Sequence, residues 1–148
     1  MDRDIGVWID HRQAVIVTIN GVGPPEAQII ESGAESKHKS TGHVRASSGL
    51  HRTTGGHKHE ENKRRQVLAK YYDRVISRLA AAERLLIVGP NGARLELEAR
   101  MSRRPALAKR ILGRAQSGRV TQRQLVANVR RYFEGKPRPR RAAAVRGE

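Results

Sequence analysis

The fold class of this chain is decided by the stretch Leu85-Leu86-Ile87-Val88-Gly89-Pro90-Asn91-Gly92. Four consecutive apolar residues are typical of a strand that is buried on both faces, and the Gly-Pro-Asn-Gly run ends that strand abruptly. Residues 93–101 then predict a helix that ends before Pro105. A doubly buried strand followed by a helix indicates an α/β fold whose sheet has a parallel portion.

The residues N-terminal to this stretch predict antiparallel strands. Residues 5–9 and 14–19 are two β-rich runs joined by a short polar segment, which predicts a hairpin. We expect Asp10 and His11 to close the turn of this hairpin rather than to act chemically. A turn cluster follows, and residues 26–31 alternate well enough to be a third strand.

The C-terminal half predicts helices that alternate with strands. Residues 60–79 carry apolar residues at spacings of three and four on one stripe, which indicates a long amphipathic helix. A short strand is predicted at 111–115, and Thr121 is a good N-cap for a last helix that ends at Phe133. We therefore expect a mixed five-stranded sheet, antiparallel at its start and continued by βαβ units, with helices on its faces.

Length and composition predict one small basic domain. The chain has 148 residues, no cysteine and a formal net charge of +16. The lack of cysteine excludes a disulfide scaffold and thiolate metal sites. No apolar run approaches the ~20 residues of a membrane span, and the first residues do not have the pattern of a secretory signal, so we expect a cytoplasmic protein. We expect the domain to cover residues 1–134 and a disordered basic tail to cover 135–148.

Residues 33–59 differ in amino-acid composition from the rest of the domain. This stretch holds five of the six histidines, repeated Ser, Thr and Gly, and hardly any large apolar residue. It cannot bury a core of its own, and a loop of this length in a small domain is usually functional or disordered. We expect a long Gly-, His- and Lys/Arg-containing loop between the third strand and the long helix.

Three short stretches resemble a known family in their order and spacing. They are Val7-Trp8-Ile9-Asp10-His11-Arg12-Gln13-Ala14, Leu85-Leu86-Ile87-Val88-Gly89-Pro90 and Leu125-Val126-Ala127. Across residues 4–134 the chain resembles the central domain of the eukaryotic and archaeal class I release factors and of Pelota. It is also similar to small bacterial proteins made of this domain alone, which are often labelled translational machinery proteins. The resemblance implies a sheet of the ribonuclease H type and a role in translation.

The same resemblance singles out Gly55-Gly56-His57, just before the long helix. In the release factors a Gly-Gly-Gln tripeptide lies at this place and helps water to attack the ester bond of peptidyl-tRNA. Gly55 and Gly56 match that tripeptide, whereas His57 stands where the factors have glutamine. Glycine suits close approach to RNA because it has no Cβ and takes positive φ freely. The resemblance thus implies a loop that enters a functional site of the ribosome.

The charge predicts that the partner is a polyanion. A net charge of +16 is far above the magnitude of about 2 to 8 that is usual for a small domain. Nucleic acid is favoured over a membrane surface because the basic helix uses its apolar stripe for the core, and RNA is favoured over DNA through the resemblance alone. We expect ribosomal RNA or transfer RNA to be bound by Lys58, Lys63, Arg64, Arg65, Lys70, Arg74, Lys136, Arg138, Arg140 and Arg141.

Other functions stay open at this point. His57 could act as a general base in a hydrolase of peptidyl-tRNA esters, although no nucleophile is evident near it in the sequence and no triad can be argued. A nucleic-acid-binding stress or regulatory protein is a further alternative. The histidines match no zinc signature, so we expect no metal and no cofactor. A ribonuclease H activity is disfavoured because few acidic residues lie at the ends of predicted strands.

Overall fold

The computed structural model describes residues 3–21, 23–34 and 53–137, with residues 53–58 described as backbone alone. The strands and helices in these ranges follow the order that the sequence predicts, with one short helix added at Pro105–Ala108. They are β1 (Arg3–Ile9), β2 (Gln13–Asn20), β3 (Glu26–Glu31), α1 (Thr53–Leu79), β4 (Arg84–Gly89), α2 (Asn91–Met101), α3 (Pro105–Ala108), β5 (Ile111–Gln116) and α4 (Gln122–Phe133).

The strands form one mixed sheet in the order β3-β2-β1-β4-β5. β1 and β2 pair antiparallel, as do β2 and β3, whereas β4 lies parallel to both β1 and β5. In the centre of the sheet Val7 pairs with Ile16 on one side and with Ile87 on the other. The prediction of an α/β fold with an antiparallel start and a parallel continuation is therefore confirmed, in a sheet of the ribonuclease H type.

The hairpin between β1 and β2 is closed by Asp10. Its Oδ1 accepts hydrogen bonds from the backbone N–H groups of Arg12 at 2.8 Å and Gln13 at 2.9 Å. A carboxylate that binds the backbone two and three residues ahead holds a tight turn in place. The predicted turn role of Asp10 is confirmed.

Helices cover both faces of the sheet, and each face has its own core. α1 and α2 pack on one face, where Ile5, Val7 and Ile9 of β1 point. α4 packs on the other face against Trp8, and its Val129 lies so close to β1 that a Cβ on Gly6 would be 2.5 Å from Cγ2 of that valine. Residues 85–88 of the β4 strand between them are all apolar because their side chains enter the two cores alternately.

The end of β4 depends on its glycine. Gly89 has a φ of 138°, a conformation that L side chains rarely adopt. A Cβ at this position would also collide with the backbone carbonyl of Ile9 on the neighbouring strand. Glycine is therefore required where the chain leaves the sheet and enters α2.

The predicted α1 helix is confirmed, but its predicted start at Glu60 is wrong. The helix begins at Thr53, so Gly55, Gly56 and His57 have helical backbone and do not lie in a loop. Once a helix is anchored by packing, each further turn costs little, and a polar segment can extend it. The part of the predicted loop at residues 35–52 lies outside the described residues.

Tyr71 and Tyr72 are both buried, although they are adjacent on the helix. Tyr71 is 0% and Tyr72 is 4% exposed. Their rings contact each other with centroids 5.3 Å apart, and each hydroxyl donates a hydrogen bond to an acceptor on another element. The phenol groups can be buried because neither is left without a polar partner.

The domain extends slightly past its predicted end at residue 134. Nη1 of the buried Arg84 donates to the carbonyl oxygens of Lys136 at 2.8 Å and Pro137 at 3.2 Å. The predicted boundary is corrected to this extent, because these two residues are fixed to β4. The rest of the predicted tail, residues 138–148, lies outside the described part of the chain.

Candidate functional site

The N-terminal part of α1 extends past the C-terminal end of β1. The Tyr71 hydroxyl donates to the backbone carbonyl of Asp10 at 2.8 Å, which puts Tyr71 level with the end of β1. Every side chain from residue 59 to residue 66 is exposed. At about 1.5 Å per residue, Gly56 lies roughly 22 Å along the helix axis from Tyr71. We call residues 53–66 of α1 the arm.

The arm carries three exposed cations in a row, Lys63, Arg64 and Arg65, beside Glu60 and Glu61. Because a helix turns by about 100° per residue, consecutive cations project in different directions. Arg64 and Arg65 share the face that is apolar further along the helix, whereas Lys63 lies on the opposite face. The arm can therefore meet a polyanion from more than one side.

The matched tripeptide lies near the beginning of the arm. Gly55, Gly56 and His57 fall within the first two turns of α1, far from the buried part of the helix. Their side chains and that of Lys58 lie outside the described residues, so the predicted catalytic role of His57 stays a prediction. Among the side chains that are described, no three His, Asp or Glu residues lie together as a metal site.

A groove of about 580 Å³ runs between α1 and α2. It begins where the core-facing side of α1 changes from apolar residues to charged ones. Four arginines line it together with two glutamates, over an apolar surface of small and buried residues. The lining residues are Glu61, Arg64, Arg65, Leu68, Ala69 and Tyr72 of α1, Glu96, Ala99 and Arg100 of α2, and Arg103 just after α2.

Glu96 connects three elements at one end of the groove. Its Oε1 accepts the Tyr72 hydroxyl at 2.6 Å and lies 3.2 Å from Nε2 of His11, in the turn after β1. Burial and then the hydrogen bond to Glu96 raise the pKa of Tyr72 far above its usual value. Burial likewise raises the pKa of Tyr71, with a further contribution from Asp10. Both phenols are therefore neutral hydrogen-bond donors over the whole physiological pH range.

Asp73 fixes Arg100 beside the groove. Nε and Nη2 of Arg100 donate to the two carboxylate oxygens of Asp73 at 2.7 and 3.1 Å. The hydrogen bond from Arg100 holds the pKa of the Asp73 carboxyl below its usual range, and the same bond raises the pKa of Arg100. Arg103 and Arg104 add a smaller electrostatic effect in the same direction on Asp73. This part of the groove thus carries an oriented guanidinium.

The structure brings together only some of the predicted RNA-binding residues. Lys63, Lys70 and Arg74 recur along one exposed face of α1, and Arg74 is bound there to the backbone carbonyl of Glu31 on β3 at 2.8 Å. Lys136 lies at the other end and on the other face of the sheet, with its ammonium 4.5 Å from the centre of the Tyr132 ring. Arg138, Arg140 and Arg141 lie outside the described residues.

Sequence reasoning missed the contribution of α2. Arg100, Arg103 and Glu96 were not among the predicted site residues, although they line the same groove as Arg64 and Arg65. The sequence offers one weak signal for them, the cluster of arginines at residues 100–104 between a helix and Pro105. Their position next to α1 results from the packing of two helices that are separate in sequence.

Comparison with known proteins supports the fold. No family model and no curated protein matches the chain. Among solved structures, Pelota from Archaeoglobus fulgidus superimposes with a TM-score of 0.52 at 14% sequence identity, over 88% of this chain and 31% of that protein. Pelota from Thermoplasma acidophilum is similar with a TM-score of 0.49 at 18% sequence identity, over 81% of this chain and 29% of that protein. An archaeal translation termination factor is similar with a TM-score of 0.49 at 13% sequence identity, over 89% of this chain and 39% of that protein.

These similarities cover only part of the length of each solved protein. The chain spans about a third of the length of the solved proteins that it matches. At 14% identity, the superposition on the Archaeoglobus protein shows a shared fold. The resemblance to Pelota that the three sequence stretches indicated is confirmed at that level. Within the described ranges, each helix is too short or too polar to cross a bilayer.

Proposed function

We propose that this chain is a translation-related protein that binds ribosomal RNA or transfer RNA on the ribosome. The observation that carries the proposal is the arm, an exposed helical extension with Lys63, Arg64 and Arg65 on its surface. The fold shared with Pelota and the sequence resemblance to release-factor central domains support a role in translation. Such a role belongs to the cytoplasm.

Charge supports RNA as the partner. The net charge of +16 cannot be neutralised within the chain, because 30 Lys and Arg face only 14 Asp and Glu. Cations that contact phosphates supply affinity without reading base sequence, and they release counterions as they bind. An exposed helix with cations on two faces makes such contacts wherever phosphates surround it, as they do inside the ribosome.

The position of Gly55, Gly56 and His57 keeps a hydrolase as the second candidate. These residues lie in the first two turns of α1, at the beginning of the arm. His57 alone supplies only part of a catalytic apparatus, since hydrolysis also needs a positioned water and an oriented base. We therefore propose that the arm occupies a ribosomal site mainly through its backbone and its cations.

The proposal is tested by sedimentation with ribosomes at physiological salt, followed by separation of the subunits. We expect the wild type to sediment with ribosomes, Gly56→Val to lose most of this association and His57→Ala to lose less. Failure of the wild type to associate with either subunit contradicts the proposal.

Release of peptide from peptidyl-tRNA on stalled ribosomes, measured with the same three proteins, separates the two candidates. Release that is lost in His57→Ala favours the hydrolase. Binding without release favours a factor that occupies the site without cleaving the ester.

A further inference from the structure

We propose that the groove between α1 and α2 binds a single-stranded segment of RNA, with an unpaired base inside the groove and its phosphates on the arginines. This inference rests on the RNA-binding role proposed above and deepens it. It adds that single-stranded RNA is preferred to duplex RNA, and it names the residues of the groove that make this selection.

The shape of the groove suits one or two unpaired nucleotides. Its volume of about 580 Å³ falls in the range of roughly 300 to 1,000 Å³ that is typical of small-ligand sites. A duplex keeps its bases stacked inside and offers a convex backbone, so it cannot fill a concave groove. A single strand can turn a base outward and insert it.

The charges in the groove suit phosphate groups. Four arginines line it against two glutamates. The side chains of Arg65 and Arg103 donate no hydrogen bond within the described residues, so their guanidinium groups are available to a ligand. Arg100 is held in one orientation by Asp73. The planar guanidinium fork matches two phosphate oxygens better than an ammonium does.

The surface between the arginines suits the face of a base. Ala69 of α1 and Ala99 of α2 are small and accessible, and the largely buried Leu68 lies beside them. Short apolar side chains leave room for a flat ring, and guanidinium planes stack on bases as aromatic rings do. The groove therefore combines a place for a base with a place for its phosphates.

The two glutamates favour a nucleotide over an acidic peptide. Both oxygens of Glu61 and Oε2 of Glu96 accept no hydrogen bond from the described residues. These carboxylates repel the carboxylate side chains of a glutamate-rich peptide. They can accept from the exocyclic amino groups of cytosine, adenine and guanine, which uracil lacks. The groove should thus prefer strands that carry amino-bearing bases.

A pair of alanine variants tests this inference. Ala99→Glu puts a carboxylate into the groove, and Ala127→Glu makes the same change at an exposed position of α4 on the opposite face of the sheet. Both variants change the net charge equally and replace an exposed helical alanine. Affinities are measured for a cytosine-rich single strand, a uracil-rich single strand, a blunt-ended duplex of equal length and a glutamate-rich peptide.

We expect the wild type to bind the cytosine-rich strand about tenfold more tightly than the blunt-ended duplex, as stacking of a single base allows. We expect the uracil-rich strand to bind less tightly than the cytosine-rich one. Ala99→Glu should weaken binding of the cytosine-rich strand by about tenfold and Ala127→Glu by less than about threefold. Binding of the blunt-ended duplex should respond equally to both variants.

Two outcomes overturn the inference and leave the proposed function intact. One is an equal loss of single-strand affinity in Ala99→Glu and Ala127→Glu, which means that the groove is not the site. The other is a glutamate-rich peptide that binds more tightly than the cytosine-rich strand and loses affinity only in Ala99→Glu, which means that the groove takes acidic peptides. Absence of wild-type binding to all three RNAs at low salt instead contradicts the proposed function itself.

Discussion

Arg84 of β4 and Asp4 of β1 form a bidentate ion pair inside the domain, with Nε and Nη2 of the arginine 2.8 and 2.9 Å from the two carboxylate oxygens. Both residues are 3% exposed. The same guanidinium lies 5.0 Å from the centre of the Phe133 ring and binds the backbone after α4. One pair thus joins the first strand, the fourth strand and the C-terminal end of the described chain.

The first prediction concerns this pair. Asp4→Ala leaves a buried guanidinium without its carboxylate, and we expect a loss of about 3 to 5 kcal/mol in the free energy of unfolding. The double variant Asp4→Leu, Arg84→Met removes both charges and should recover much of that loss. Urea unfolding of the wild type and these variants measures the effect. A double variant that is no more stable than Asp4→Ala would show that the loss in Asp4→Ala does not come from leaving Arg84 unpaired.

The second prediction concerns the core face of α1. Ile76 is 3% exposed, whereas its neighbour Ser77 is exposed. Ile76→Asp buries an unpaired carboxylate and should cost about 3 kcal/mol or more, enough to unfold a small domain. Ser77→Asp, the matched control, should cost less than about 1 kcal/mol. A cooperative thermal transition of Ile76→Asp close to that of the wild type would mean that this face does not enter the core.

The third prediction is a dependence of stability on alkaline pH. The pKa of Tyr72 is raised by burial and by Glu96, so the folded protein keeps the phenol proton while the unfolded chain releases it above pH about 10. The stabilisation by Tyr72 is therefore complete below about pH 10 and is lost progressively as the pH rises towards the folded pKa. From pH about 9 to about 11 the wild type should lose about 1.4 kcal/mol more than Tyr72→Phe. Equal losses in urea unfolding would refute this assignment.

The fourth prediction concerns the backbone of the arm. Because Gly55 and Gly56 lie in a helix, alanine at either position should stabilise that helix by up to about 1 kcal/mol. Amide hydrogen exchange across the arm should then slow by up to about fivefold. Gly118→Ala, at an open position outside the helices, serves as the control and should leave exchange in the arm unchanged. Faster exchange in Gly56→Ala would mean that this glycine needs a conformation that alanine avoids.

Much of the fold could be predicted because the deciding residues act locally. The apolar run before Gly89 and the Asp10 turn specify a buried strand and a hairpin without reference to distant residues. The start of α1 could not be predicted in this way, since the first turns of α1 carry no apolar periodicity and contain two glycines. That segment is helical as an extension of a helix whose stability comes from residues 68–79.

The candidate site was only half predictable for a different reason. The cations of α1 are visible in the sequence as an excess charge on a helix, so Arg64 and Arg65 could be named. Their neighbours on α2 become neighbours through tertiary packing. The partner of the Tyr72 hydroxyl, Glu96, is 24 residues away in the sequence, and nothing local to either residue indicates the bond.

The last prediction tests the claim that the arm is the RNA-binding element. One variant replaces Lys63, Arg64 and Arg65 by glutamine, and its control replaces three exposed arginines near or on α4, Arg119, Arg123 and Arg130, in the same way. Both lose three positive charges. The two variants therefore differ in the place from which positive charge is removed, but the amount of charge removed is the same.

The decisive measurement is the affinity of these proteins for a ribosomal RNA fragment as a function of salt concentration. Each phosphate contact contributes about 0.7 to 0.9 to the slope of log affinity against log salt. We expect the arm variant to have a slope that is smaller by roughly 2 to 3 and the control variant to keep a slope near that of the wild type. Equal slopes for the two variants, or a wild-type affinity that does not depend on salt, would contradict the proposal that the arm holds RNA.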